Sequence, residues 1–362
     1  MFDARLVGEA RNLTFLRSCE HETILLLRLF LLGPKGTFRS SASFVDNHKK
    51  HHQKVPLKTG LFVLRTYMKS KKGTSGVVAS KTASSRRAGM KVAIQGITAS
   101  FHEVAAFAHF GGPVDTVECL SFHELCEALK HDRAQFGVMA IENSIAGSIL
   151  PNYFLLQEYH FSIVGELYLP IHLHLMALPG VKLKDIKCVE SHPMAIRQCS
   201  DFLRQMNGIV IRESEDTALS AKKIRDNKLK DVAAIANSRA AEKFGLNLVE
   251  KGIETNKKNF TRFLILTKSG TAVNGSNKAS LSFEVANQVG SLADVLMEFK
   301  KSFINLTKIQ SIPIVGRPQE YSIHVDVEWA KRSQYDQAMR QVMRQTRNLN
   351  VLGEYKKANI KF

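Results

Sequence analysis

The stretch "AGMKVAIQGITASFHEVAAF", residues 88–107, decides the fold class. Lys91 to Gln95 is a short apolar run containing Val92 and Ile94, Gly96 supplies a turn, and a helix is expected from about residue 100. Strand, glycine turn and helix in that order open an α/β domain. Outward from it the alternation continues: "DTVEC", a helix at 121–131, "FGVMAIE", "SIVGELYL", "IHLHLMAL", "IKCVE", a helix at about 193–206, "GIVIRE", a helix near 216–227, "VAAIA", a helix near 238–244 and "TRFLILT". This pattern predicts an α/β protein with largely parallel sheets, arranged as two lobes of similar size with a cleft between them. Ligands in such folds bind beyond the carboxyl ends of the strands.

A polar, Gly/Ser-rich joint, "SGTAVNGSNK" (269–278), closes the two-lobed region. Beyond it the order is strand 279–286, helix 290–301, strands 305–314 and 320–329, helix 331–345, strand 348–356. That is the β-α-β-β-α-β order of a ferredoxin-like unit. The organisation read from the sequence is therefore an extension over 1–89, a two-lobed domain over 90–270, a linker over 271–278 and a small C-terminal domain over 279–362.

Charge separates the extension from the rest. The formal net charge is +18, but residues 1–89 hold 17 basic and 5 acidic side chains, a net of +12, leaving +6 for the remaining 273 residues. No acidic residue falls between Asp46 and Glu103. The basic excess therefore sits mostly in "NHKKHHQK" and "KSKKGTSGVVASKTASSRRAG", which are poor in core-forming residues and read as a disordered extension or a spurious upstream translation. Nucleic-acid binding loses its main support. The folded protein is expected to begin at Met90. The apolar run "TILLLRLFLL" (23–32) is too short to span a membrane, is interrupted by Arg28 and makes a poor signal peptide. Five cysteines, an odd number with no CxxC pair, fit a reduced, cytoplasmic protein.

Three short stretches carry candidate chemistry. "IENSIAGS" (141–148) ends an apolar strand with Glu142, Asn143 and Ser144, which can orient a polar ligand or simply cap a loop. "ESHPMAIRQCSDFL" (190–203) places Ser191 before a helix starting near Pro193, with Gln198 about two turns along; the same helix terminus can be capped or can bind a carboxylate. "NFTRFLIL" (259–266) sets Asn259, Thr261 and Arg262 at a strand entrance, Thr261 and Phe263 on one face and Arg262 on the other. Arg262 can clamp a carboxylate or lie on an exposed face. His172 and His174 share a strand face, but no third residue has matching spacing for a metal. There is no phosphate loop or dinucleotide fingerprint.

Taken in order, "ENS…G", "ESHPMAIRQC", "EDTALSA", "DVAAIANSRAAEKFGL" and above all "NFTRF" resemble the prephenate dehydratase family over about 91–362. The tail resembles the ACT regulatory domain of those enzymes. The resemblance departs at the opening loop, usually like "GPEGTFS" and here "GITASFH" (96–102), and a "GPKGTF" at 33–38 is a chance likeness. It implies a two-lobed, periplasmic-binding-protein-like catalytic domain that converts prephenate to phenylpyruvate, losing water and carbon dioxide without a redox cofactor or metal. It implies Thr261 and Glu142 as catalytic residues, Thr261 donating to the departing hydroxyl and Glu142 supplying a proton. Asn143, Ser144, Ser191, Gln198, Asn259, Arg262 and Phe263 would bind substrate. For the ACT unit it implies dimers or tetramers and phenylalanine as effector. Gly290, Ser291 and Leu292 form the first motif, and Gln310, Ser311, Ile312 and Pro313 the second, Gln310 and Ile312 replacing a usual Glu and Arg. The related reading is an arogenate dehydratase; the competing class is a non-catalytic solute-binding or amino-acid-sensing module, which has no need of "NFTRF" together with Glu142.

Overall fold

The computed structural model describes residues 89–270 and 272–359. The expectations for the extension, the chance "GPKGTF" and the start of the linker lie outside the described residues.

The opening stretch forms β1 (Lys91–Gln95), a turn at Gly96 and α1 (Phe101–Phe110). Ser100 caps α1 by accepting from the Glu103 amide, and Gly111 ends it in the left-handed region at φ 71°. The chain continues through β2 (Asp115–Cys119), α2 (Phe122–Lys130), β3 (Phe136–Asn143), β4 (Gly147–Ser148), α3 (Leu150–Tyr159) and β5 (Ser162–Pro170). It then crosses into a second lobe: β6 (His174–Ala177), β7 (Cys188–Ser191), α4 (Pro193–Gln198), α5 (Ser200–Gln205), β8 (Val210–Glu213), α6 (Thr217–Asp226), β9 (Val232–Ala236), α7 (Ser238–Phe244) and β10 (Asn247–Glu250). β11 (Phe260–Thr267) returns to the first lobe. The helix expected over 193–206 is broken at Cys199.

The first-lobe sheet has the order β2-β1-β3-β11-β5, with β4 on β3, and the second β10-β6-β9-β7-β8. Neither is largely parallel. β1–β2, β1–β3, β7–β8 and β7–β9 are parallel, while β3–β11, β11–β5, β6–β9 and β6–β10 are antiparallel. The reason is the double crossing: β5 leaves the first lobe and β11 re-enters it beside β5, so the two must run in opposite directions. The crossing is tied where the Ile171 amide donates to the Asn259 carbonyl at 2.8 Å.

Each face of the first-lobe sheet has its own core. Val92, Ile94, Val138, Ala140, Phe263 and Ile265 pack under α1. Met139, Ile141, Leu264 and Leu266 pack on the other face with α2 and α3. Burying the Val, Ile, Leu, Met and Phe side chains among these contributes about 1.5–3 kcal/mol each. His102 sits edge-on to Phe263 and Phe122, at ring distances of 5.0 and 5.5 Å, and its Nε2 has no hydrogen-bond partner. Burial lowers its pKa to about 3. The folded value lies below the unfolded one, so its contribution is complete above about pH 6.5 and is lost as pH falls toward 3. His102→Leu should therefore flatten the loss of stability between pH 6.5 and 4 by on the order of 2–3 kcal/mol, read from urea midpoints across that range. A midpoint that falls as steeply in the variant as in the wild type would show that His102 does not govern it. Asp216, whose pKa burial raises to about 6, runs in the opposite direction and is common to both proteins.

After the joint come β12 (Lys278–Glu284), α8 (Ser291–Lys301), β13 (Asn305–Ile314), β14 (Arg317–Glu328), α9 (Arg332–Gln345) and β15 (Arg347–Tyr355), in the antiparallel order β13-β14-β12-β15. This is the β-α-β-β-α-β unit, closed on its own core of Leu281, Phe283, Phe299, Val325, Val327 and Tyr335. Its sheet docks on the first lobe: Ile312, Leu352 and Tyr355 join the cluster formed by α2 and α3. A Cβ on Gly353 would stand 2.0 Å from the Ile163 carbonyl oxygen, so β15 approaches β5 backbone to backbone. Neither backbone can yield as a side chain would. Gly353→Ala should lower stability by about 1–3 kcal/mol in urea unfolding. A loss under ~0.5 kcal/mol would show that the docking tolerates separation. No described helix is long and apolar enough to cross a membrane.

Candidate active site

The site is built where the two lobes are joined. β3 and β11 pair antiparallel with Asn143 opposite Thr261 and Glu142 opposite Arg262, and a bulge follows Arg262. Opposed residues share a face and successive residues alternate. Asn143 and Thr261 therefore face one way and Glu142 and Arg262 the other.

On the first face an amide chain forms. Asn143 Oδ1 accepts from the amides of Ile145 and Ala146, at 3.0 and 2.9 Å. Those two N–H groups fix the orientation of the Asn143 side chain, since its NH2 could not accept them. Asn143 Nδ2 must then face Asn259 Oδ1 at 2.7 Å and Thr261 Oγ1 at 3.0 Å. With its oxygen occupied, Asn259 turns its own Nδ2 to Gln198 Oε1 at 2.9 Å. The polarity runs outward to two free ends. Thr261 accepts from Asn143 and keeps its hydroxyl hydrogen to donate, and Gln198 keeps its NH2. Gln198 comes from α4 of the second lobe, Asn259 from the crossing and Thr261 from β11, so the chain of side chains spans the joint between the lobes. Four residues separated by up to 118 positions form one array of donors suited to an anionic ligand.

Ser144 lies at the edge of this array, exposed, accepting from the Phe260 amide at 2.9 Å and donating to the Lys258 carbonyl at 3.3 Å. Four other expectations need correction. Glu142 faces away from Thr261 and pairs with Lys308 at 2.8 Å. Arg262 is 3% exposed and is held by Glu166 and Asp326, with Tyr355 Oη at 3.1 Å. Burial works against its charge, but Asp326, Tyr355 and Glu166 outweigh that and hold its pKa well above the usual value. Phe263 is buried in the core against His102, and Ser191 is fully buried at the end of β7, its hydroxyl spent on the Ile235 carbonyl at 2.6 Å. The cap of α4 is His192, whose Nδ1 accepts from Met194 N at 3.2 Å.

Of the C-terminal motif residues, Gly290 is left-handed at φ 84° immediately before Ser291 and Leu292 open α8. Gln310, Ser311 and Pro313 lie on β13, where the Gln310 side chain donates to the Ser311 carbonyl at 3.0 Å. Ile312 is 1% exposed in the first-lobe cluster and cannot meet an effector there. An apolar side chain at that position docks the sheet. His174 Nδ1 accepts from the Gly252 amide and His172 approaches Glu254 at 3.3 Å; no cluster of three metal-ligating side chains occurs among the described residues.

Sequence reading missed the residues that hold the lobes together. Asn237 caps α7 and also donates to the Ala99 carbonyl at 2.9 Å. Arg239 pairs with Glu103 at 2.6 Å and lies over the Phe107 ring. Ile97 and Ala99 from the opening loop enter the second lobe's core beside Met176 and Ala236, Ala99 with φ 69°. Asp216 caps α6, and a Cβ at Gly96 would stand 2.5 Å from its Oδ2, so only glycine fits that turn. The only sequence signal for these residues is an Asn or Asp before a helix, which reads as a cap and nothing more.

The family model described as prephenate dehydratase matches residues 92–271. Arogenate dehydratase/prephenate dehydratase 2 of Arabidopsis thaliana, a chloroplastic protein, is 36% identical over 279 residues, covering 74% of this chain and 72% of the relative. Prephenate dehydratase from Arthrobacter aurescens, solved in complex with L-Phe, superposes with a TM-score of 0.67 at 25% identity, over 74% of this chain and 90% of that one. A structure described as GqqA, a novel type of quorum quenching acylases, superposes with a TM-score of 0.68 at 26% identity, over 74% and 98%.

Proposed function

The chain belongs to the prephenate dehydratase family, and we propose that it catalyses the decarboxylating dehydration of prephenate to phenylpyruvate in phenylalanine biosynthesis. The observation that carries this reading is the polarity of the amide chain, which leaves donors at both ends. Prephenate carries two carboxylates and a ring hydroxyl. In the reaction the hydroxyl takes up a proton from solvent and leaves as water, the ring carboxylate leaves as carbon dioxide, and its bonding electrons complete the aromatic ring. Thr261 donates a hydrogen bond to the departing hydroxyl and Gln198 to a carboxylate. Held donors of this kind stabilise charge where it develops without reorganising at the moment of reaction. Glu142 faces away from Thr261 and takes no part in that proton transfer.

The name borne by the acylase neighbour implies a different chemistry, transfer of an acyl group through an activated nucleophile. Thr261 lacks the required base, since its hydrogen-bond partner is the amide nitrogen of Asn143. The relatives include chloroplastic arogenate/prephenate dehydratases, so arogenate belongs in the same assay. The test is ultraviolet detection of phenylpyruvate from prephenate, beside phenylalanine formation from arogenate and hydrolysis of a chromogenic N-acyl amide. Turnover of prephenate is the expected result; hydrolysis of the acyl amide without dehydration of either acid would overturn it.

We further read the protein as a cytoplasmic homo-oligomer, dimer or tetramer, associating through the C-terminal domain over 279–362, with phenylalanine as effector. Supporting this are the ferredoxin-like unit itself, the L-Phe complex of the Arthrobacter relative, and a left-handed Gly290 before α8 whose Cβ position is open.

A further inference from the structure

The C-terminal sheet docks on β5 and α3, where Lys278 meets Glu166 and Gln157 meets His324, and its remaining side-chain contacts reach the two strands that carry the site, each beside a site residue. Lys308 on β13 reaches Glu142 at 2.8 Å and Ser148 at 2.6 Å, and Glu142 precedes Asn143. Asp326 on β14 accepts from Arg262, which follows Thr261. Tyr355 on β15 bonds Arg262 at 3.1 Å, and Ser280 on β12 bonds both Asp326 at 2.5 Å and Tyr355 at 2.7 Å. All four C-terminal strands thus contribute to two opposed positions of one strand pair.

We infer that Glu142 and Arg262 are positioning residues through which docking of the C-terminal sheet sets the geometry of Asn143 and Thr261. Each pair shares one peptide unit in a paired strand, so a shift on the docking face displaces the donor on the cleft face. Apolar packing alone would dock the sheet. Buried charges add little net stability, because removing them from water costs as much as their attraction returns, whereas they fix a single register. A cavity of about 10 Å³, no larger than one water, is bounded by Tyr153, Arg262, Ser280, Lys308, His324 and Asp326 between the sheet and the first lobe.

The inference rests on the dehydratase reading for its readout in turnover, and the experiment separates the two. In the full chain, Lys308→Met should lower kcat about 10-fold with KM changed by less than about threefold, because a displaced donor weakens transition-state binding more than ground-state binding. Lys308→Arg, which can still pair with Glu142, should keep at least about half of the wild-type kcat. Adding Glu142→Gln to Lys308→Met should lower kcat no further than about twofold, since members of one unit do not act additively. Amide hydrogen exchange at Asn143 and Thr261 should quicken about 10-fold in Lys308→Met while β9 is unchanged. Wild-type protein inactive on both prephenate and arogenate would defeat the dehydratase reading, and the exchange result then decides the positioning role alone. A Lys308→Met variant with wild-type exchange at both sites, or with kcat within twofold of an active wild type, would overturn the inference.

Discussion

Thr261→Ala is expected to lower kcat for prephenate by about 10²-fold or more, with a smaller change in KM. The hydroxyl accepts from Asn143 at 3.0 Å, so its hydrogen is left to donate, and under the proposed reading alanine removes the β11 hydroxyl that would meet the departing oxygen. A rate loss of that size corresponds to about 3 kcal/mol of transition-state stabilisation. Thr261→Ser retains the hydroxyl on a less restricted side chain and should recover most of the rate. Steady-state kinetics on prephenate decide it: a Thr261→Ala enzyme within threefold of wild type would remove this hydroxyl from the chemical step.

Arg262→Met is expected to cost about 3–5 kcal/mol of stability, the usual loss when one partner of a buried ion pair is removed. Glu166 and Asp326 are both buried, and Arg262 bonds to each. Lys278, 3.0 Å from Glu166, would still neutralise that carboxylate, so the uncompensated charge falls on Asp326. For a structured region of this size, the midpoint of thermal unfolding should fall by about 10 °C. Adding Asp326→Leu removes the stranded carboxylate and should restore part of the loss. Equal unfolding midpoints for wild type and Arg262→Met would mean that the network contributes nothing to docking. The same geometry explains why Arg262→Lys is a poor replacement: an ammonium cannot reach Glu166, Asp326 and the Tyr355 hydroxyl together from one plane.

Much of this molecule is determined locally. Gly96 between "KVAIQ" and a helix, the polar joint near 269–278 and the β-α-β-β-α-β order past it are set by side-chain period and turn chemistry, which neighbouring residues fix among themselves. Even the facing of "NFTRF" was legible, because alternation along a strand puts Thr261 and Arg262 on opposite sides whatever the sheet. What alternation cannot say is what each side meets. That Arg262 faces an internal carboxylate pair was decided by the docking of a sheet whose residues Ser280, Asp326 and Tyr355 come later in the chain. Glu142 reads like a catalytic acid beside Asn143 until Lys308, 166 residues on, is found holding it on the other face. The mixed sheets follow from β5 and β11 crossing between lobes side by side, a matter of chain path that no local run encodes. The direction of the donor chain from Gln198 to Thr261 is likewise tertiary. Two backbone N–H groups at Ile145 and Ala146 orient one amide, and that orientation passes from side chain to side chain only once the lobes have brought them within hydrogen-bond reach.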